Sequence, residues 1–233
     1  DKDTNILKAS GNVKMEDAVE DYTIFAEEAT YFKNDEKILT KGKTKSLINN
    51  KYEILSKNVL FLINKNLLSS KEKTTIKDKN SNFYQLDEFE LLKDKDELKG
   101  NKILAISNFG SSKSDKLYFS SAIIDLNTKN YLAKDIKIKI HNDIFNNPKN
   151  DPRLLGVSSN KNGDITIVNK GIFTSCGDSD KCPPWSIKAD KIKHDRKKKQ
   201  LIYKNAFLKI YDIPVLYFPK FFHPDPTVKR QSG

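Results

Sequence analysis

YTIFAEEATYFKNDE (Tyr22 to Glu36), YEILSKNVLFLINKN (Tyr52 to Asn66) and NFYQLDEFELLKDKD (Asn82 to Asp96) begin 30 residues apart and share one pattern. Apolar and polar side chains alternate, a double polar step interrupts the alternation, and the segment ends in a turn rich in Asn, Asp and Lys. LYFSSAIIDLNTKN (117 to 130) is a looser fourth copy. Between the copies lies a second strand type: ILKASGNVKM (6 to 15), ILTKGKTKSL (38 to 47), LLSSKEKTTI (67 to 76) and ELKGNKILAIS (97 to 107). The repeating unit is therefore two strands and two turns, and a period of this length points to a stacked architecture. Asn34-Asp35, Asn49-Asn50, Asn64-Lys65-Asn66 and Lys93 to Asp96 mark the turns. Asn and Asp favour turns because they hydrogen-bond their own backbone and tolerate left-handed conformations.

Alternation assigns faces. Leu7, Ala9, Gly11, Val13 and Met15 share one face of the first strand, and Lys8, Ser10, Asn12 and Lys14 share the other. In the next strand Tyr22, Ile24 and Ala26 alternate with Thr23 and Phe25. The double polar steps Glu27-Glu28 and Lys57-Asn58 then shift the phase before Ala29 and Tyr31, or Val59 and Phe61. Such a shift is how a bulge or sharp bend looks in sequence. Units that bend at the same place stack into a folded sheet with an apolar inside. From pattern alone, that inside is either a core filled by its own side chains or a groove for a ligand. IKADKIKHDRKKKQLIYKNAFLKI (187 to 210) repeats the unit, with Ala189 in the place of Ala26, so the pattern resumes after the loop that holds both cysteines.

The 233 residues suffice for one all-β domain or two smaller ones. A hydrophobic fraction of 37% with 10% aromatics suits thin β-layers better than a thick helical core. No stretch approaches the roughly 20 apolar residues of a membrane helix. The acidic start DKDTN lacks a signal-peptide pattern, and a soluble chain is expected. The net charge of +11 arises from lysines interleaved with 31 acidic residues. No RNP-like, zinc-finger or helix-turn-helix pattern accompanies them, so no nucleic-acid partner is expected. The lysines are read as solvating outward faces and guarding strand edges. His141, His194 and His223 lie far apart, and Cys176 and Cys182 lack metal-site spacing. Without a nucleophile elbow, P-loop or dinucleotide motif, neither an enzyme nor a cofactor or metal is expected. A structural β-solenoid would share the repeat, whereas a carbohydrate-active β-helix would need clustered carboxylates that the sequence does not assemble.

GIFTSC (171 to 176), WSIKADKIKHD (185 to 195) and YKNAFLKIYDIPVLYFPKFFHPDPTVKRQSG (203 to 233) carry a resemblance. They are similar to the end of the periplasmic domain of the LptD (OstA) family of outer-membrane lipopolysaccharide-assembly proteins. The earlier units resemble the weaker OstA repeat shared by LptA, LptC and LptD. The resemblance implies an all-β fold of repeated antiparallel strand pairs, a V-shaped β-jellyroll or β-taco with an apolar groove. It implies an OstA-like domain over residues 1–210 with a loop insertion at 171–186. Residues 211–233 would be a Pro-rich and aromatic connector to a transmembrane β-barrel absent from this chain.

In that family the groove holds lipopolysaccharide acyl chains and passes them from a periplasmic bridge to the barrel. Burial of a lipid chain contributes about 0.8 kcal/mol per CH2, so carriage needs no covalent chemistry. The expected groove lining is Leu7, Val13, Met15, Ile24, Ile38, Ile54, Phe61, Leu68, Ile76, Leu86, Leu91 and Ile103. Asn5, Ile6, Lys8, Ser10, Asn12 and Lys14 form the edge expected to pair with an LptA-type bridge protein by strand addition. An LptE-type lipoprotein would act through the barrel. Cys176 and Cys182 fit an oxidising periplasm. One is expected to tether this domain to the barrel in the intact protein, with a local bridge between the two in this chain. A soluble LptA-like bridge protein is the nearest alternative, and the residues from Trp185 onward argue against it.

Overall fold

A computed structural model of the chain describes residues 5–111, 114–140, 151–177 and 183–228. Among these, every regular element but one 3-10 turn at Ile63–Lys65 is a strand, so the fold is all-β. All the strand pairs whose register is defined are antiparallel, β1 with β2 and β16 with β17 among them, and consistent with a β-jellyroll-like fold. The chain divides into two compact units, Asp1–Ala105 with Ser121–Asn127, and Ile106–Ser120 with Thr128–Gly233.

The first unit contains β1 (Ile6–Asp17), β2 (Tyr22–Phe32), β3 (Lys37–Ile48), β4 (Tyr52–Lys57), β5 (Leu60–Leu62), β6 (Leu67–Ser70), β7 (Thr74–Asp78), β8 (Phe83–Leu86), β9 (Glu88–Leu92) and most of β10 (Glu97–Ile106). Strand β3 is where the sheet forks. Its end, Lys43 to Ile48, pairs with β4, while its start, Lys37 to Leu39, pairs with β5. From there β4, β7 and β8 form one leaf, and β5, β6 and β9 form the other. Both leaves meet β10.

The long strands bend or break where the sequence steps out of phase. Register shifts fall between Ser10 and Val13 in β1 and between Ala26 and Glu28 in β2, and Asn58 separates β4 from β5. Gly11, Asn12, Gly42, Asn58 and Lys102 take positive φ along this crease. Gly42 takes φ 79°, a conformation that strains any residue with a Cβ, and a Cβ there would displace the Glu27 carboxylate. Its N–H donates to Asn58 Oδ1 at 3.0 Å, tying two bends together.

Inside the crease the side chains are small because the leaves converge there. Ala26, Ala29, Thr40, Thr44, Ser56, Ser70 and Thr74 are all buried. Their hydroxyls satisfy one another and the interrupted backbone: Thr40 with Thr44 at 2.8 Å, Ser56 with Thr74 at 2.7 Å, and Val59 N–H to Thr40 Oγ1 at 2.8 Å. This use of hydroxyls answers the rule that buried backbone polar groups need partners.

The second unit holds Lys116 to Ser120 of β11 (Lys116–Asp125), then β12 (Tyr131–Lys139), β13 (Arg153–Asn162), β14 (Ile165–Thr174), β15 (Trp185–Asp195), β16 (Gln200–Ile210) and β17 (Ile213–Pro224). From β12 to β17 each strand pairs with the next. Asp135, Val157, Lys170, Asp190, Asn205 and Pro219 drop out of these registers and mark the same kind of crease. Here its inner side is Gly171, Ala189 and Ala206 in one cross-strand row, and a Cβ on Gly171 would meet Ile192 Cδ1 at 2.6 Å. The segment expected as a connector is thus a strand along most of its length. Its prolines are accommodated because a terminal strand can leave N–H positions unused, and Pro219 sits in the crease itself.

Candidate functional site

The registers place the expected lining residues on the inner face. On one leaf of the first unit a single cross-strand row runs Leu7, Tyr31, Ile38, Phe61, Leu68, Leu91 and Leu98. On the facing leaf another runs Met15, Ile24, Ser46, Ile54, Ile76 and Tyr84. The rings of Tyr22 and Phe61 meet edge to face across the interior, with centroids 4.9 Å apart.

Exposure divides these residues sharply. Ile24, Ile38, Ile54, Phe61, Leu68, Ile76, Leu86, Leu91 and Ile103 are 0–3% exposed, packed against one another. Leu7 is 66% exposed, and Val13 and Met15 are half-buried. The inner face therefore continues onto β1 but is uncovered there. One polar group interrupts it: Ser46 Oγ is buried between Ile24 and Ile54 without a hydrogen-bond partner.

Strand β1 pairs with β2 along its length and is exposed on both faces from Leu7 to Asn12, as a terminal strand is. Of the edge residues, Lys8, Ser10, Asn12 and Lys14 are exposed, as is Asn5, while Ile6 is half-buried. Lys14 pairs with Glu16 at 2.6 Å, a surface contact that contributes little to stability. Lysines and a left-handed Asn12 on an open strand are the devices that keep an edge from indiscriminate pairing.

At the other end of the chain, β17 carries apolar side chains on both faces. Ile213, Val215, Leu216, Tyr217 and Phe222 are exposed. Inward, Phe221 follows Ala133, Ser159, Val168, Ile192 and Tyr203 in one row, and Leu216 follows Ile138, Leu154, Phe173, Ile187 and Leu208 in another. His223 joins this interior: Nε2 lies 2.7 Å from the Tyr203 hydroxyl, and its ring meets Phe173 at 5.0 Å. Burial pushes the Tyr203 phenol up, so it stays neutral.

Three features had no local sign in the sequence. Beyond β17 the chain turns back, and Asp225 accepts from His194 Nε2 in a buried contact that ties together positions 31 residues apart. Burial alone would raise the Asp225 carboxyl, but hydrogen bonds from His194 and Thr227 hold it well below the usual carboxylate range. The hydroxyl-lined crease is a second such feature. A set of ion pairs between turns at the free ends of the leaves, described below, is the third.

Cys176 is a free, half-buried thiol, 3.8 Å from the Trp185 carbonyl oxygen. Cys182 and His141, and with Cys182 the expected pairing, lie outside the described residues. Arg153 stabilises the start of this loop by donating to the Cys176 and Gly177 carbonyls. Among the described residues no three His, Cys, Asp or Glu side chains are grouped to hold a metal ion, and no helix is long and apolar enough to cross a membrane.

Comparison of the chain with protein-family models and with curated proteins finds no match.

Proposed function

We propose that this chain is a non-enzymatic lipid-handling module, the periplasmic portion of an LptD-type outer-membrane protein, which takes the acyl chains of lipopolysaccharide along its inner face. One observation carries this reading: an apolar row that is fully buried from Ile38 to Leu98 runs on, in register, to an uncovered Leu7. A core made only for stability has no need to leave its last apolar row open, since burying a Leu contributes roughly 1.5–3 kcal/mol. The cover we assign to it is a strand from an LptA-type bridge protein, added beside β1 and bringing lipid with it. An LptE-type lipoprotein would meet the barrel rather than this portion.

A second reading has its own observation in favour. The interior from Ile24 to Ile103 is filled by its own side chains, which suits a docking module that transfers no lipid. Photo-crosslinking in cells that carry the full-length protein separates the two. The probe is placed at Leu7, at Ile54 and at outward-facing Lys8. Lipopolysaccharide adducts at Leu7 and Ile54 but not Lys8 support carriage. Adducts only to a protein partner, in cells where the protein functions, support docking and overturn carriage.

A further inference from the structure

The leaves of the first unit are joined at the crease by strands that run through it, so they can part only at their free ends. Those ends are turns. The turn before β2 and the turn before β4 belong to one leaf, and the turn between β9 and β10 belongs to the other. Between them lies a compact polar set. Lys93 Nζ reaches Glu20 Oε2 at 2.8 Å and also donates to the Glu20 carbonyl. Lys51 Nζ reaches Asp96 Oδ2 at 3.0 Å, and Asn49 Nδ2 donates to the Lys93 carbonyl at 2.9 Å.

These contacts are built rather than incidental. Lys93 and Asp96 are buried although both belong to a turn, where charged side chains ordinarily face water. Asp17 accepts from the N–H groups of Val19 and Glu20 and fixes the turn that presents Glu20. Leu126 N–H donates to the Asp96 carbonyl at 2.8 Å, and Asn127 Nδ2 donates to its carboxylate. Tyr52 lies beside the same carboxylate, its phenol pushed up by burial and by Asp96.

We propose that Glu20–Lys93 and Lys51–Asp96 form a clasp that holds the leaves of the first unit shut, and that the interior opens sideways only when it breaks. Directional pairs suit this role better than apolar contact does. Apolar side chains accept many relative positions, whereas Lys93 and Asp96 are charges buried in the turn that are costly without their half-exposed partners, so intermediate separations are disfavoured. The clasp stands whether the interior carries lipid or is a plain core, because it concerns the leaves alone. Among the described residues the second unit has a similar pair, Arg196 Nη2 with Asp115 Oδ2 at 2.8 Å, between the turn after β15 and the residue that precedes β11.

The test uses spin labels on the full chain, with Val19→Cys and Asp94→Cys as label sites and both natural cysteines changed to serine. Val19 and Asp94 are exposed and flank the clasp on opposite leaves. The parent should give one narrow distance. Lys93→Glu, which sets two carboxylates face to face, should replace it with a longer, broader one, and Glu20→Lys in the same chain should restore it. Should Lys93→Glu fail to fold, Lys51→Glu opposite Asp96 gives the same reading from a half-exposed position. A folded charge-reversal variant that keeps the narrow distance, or one that the swap does not restore, would overturn the clasp.

Discussion

Strand β1 and the strands behind it present the same inward pattern but live in different surroundings. Ile54, in the row that ends at Met15, has no exposed surface, whereas Leu7, in the row that ends β1, is largely in water. Nothing in the residue types separates them, since both are large aliphatic side chains at inward positions of alternating strands. What separates them is position along the rows: Ile54 lies among inner strands, whereas Leu7 lies on the terminal strand, where its row is uncovered. The inner face is therefore a continuous surface whose use changes along it, from core to open platform.

The largest effect should come from testing that contrast directly. Ile54→Ala is expected to cost about 2–5 kcal/mol in urea unfolding, as large-to-small core changes do. Leu7→Ala should stay within about 0.5 kcal/mol, the range of surface changes. Equal costs would remove the distinction between core and platform.

His194→Ala should come next, with an effect confined to the end of the chain. It leaves Asp225 without its main partner, so the segment from Asp225 to Val228 should be held less firmly at its anchor on Lys199, to which the Asp225 N–H donates at 2.9 Å. Because the folded carboxyl is held low, its stabilising contribution is present above the ordinary carboxylate range and is lost as pH falls through the depressed value. Amide signals of Thr227 and Val228 should therefore persist to strongly acidic pH in the parent. In His194→Ala they should be lost at higher pH, within the ordinary carboxylate range. A variant whose signals titrate like the parent's would show that the pair does not anchor the segment.

A smaller change of opposite sign is expected at Ser46. Its hydroxyl lies in an apolar row without a partner, a situation that costs about 1–3 kcal/mol. Ser46→Ala should raise the urea midpoint; a lowered midpoint would mean that the hydroxyl is satisfied. The smallest expected effect is at Lys170, where a left-handed backbone (φ 48) at the crease of β14 disfavours a side chain. Lys170→Gly should gain no more than about 1 kcal/mol, read from the same unfolding curve.

Much of this architecture was legible in the sequence for physical reasons that can be named. Glu27-Glu28 and Lys57-Asn58 break the two-residue period, and any strand that keeps its apolar side inward must bulge there. Ala26 and Ala189 align as equivalent positions of the repeat; that both sit at the crease, where converging leaves leave space for little more than a methyl group, came only from the structure. The inward positions of Leu7, Ile24, Ile54 and Phe61 followed from alternation. Their exposure did not, because it depends on which strand lies opposite. The clasp was invisible for the same reason: Lys93 to Asp96 read as an ordinary polar turn, and only the folding of the sheet brings Glu20, 73 residues earlier, to Lys93. Residues 211–233 read as a Pro-rich and aromatic connector, and the strand Ile213–Pro224 within it keeps its prolines because a terminal strand has positions where a missing N–H costs nothing.

The most direct test of the central claim is a methyl-labelled sample of the purified chain with lipopolysaccharide, in which contacts between protein methyls and acyl-chain protons are measured. Contacts should fall on Leu7, Met15 and Ile24 and not on Leu55, which faces outward from β4. Contacts spread equally over Leu55 and Leu7, or absent from both while lipid is bound, would contradict an inner face that carries acyl chains.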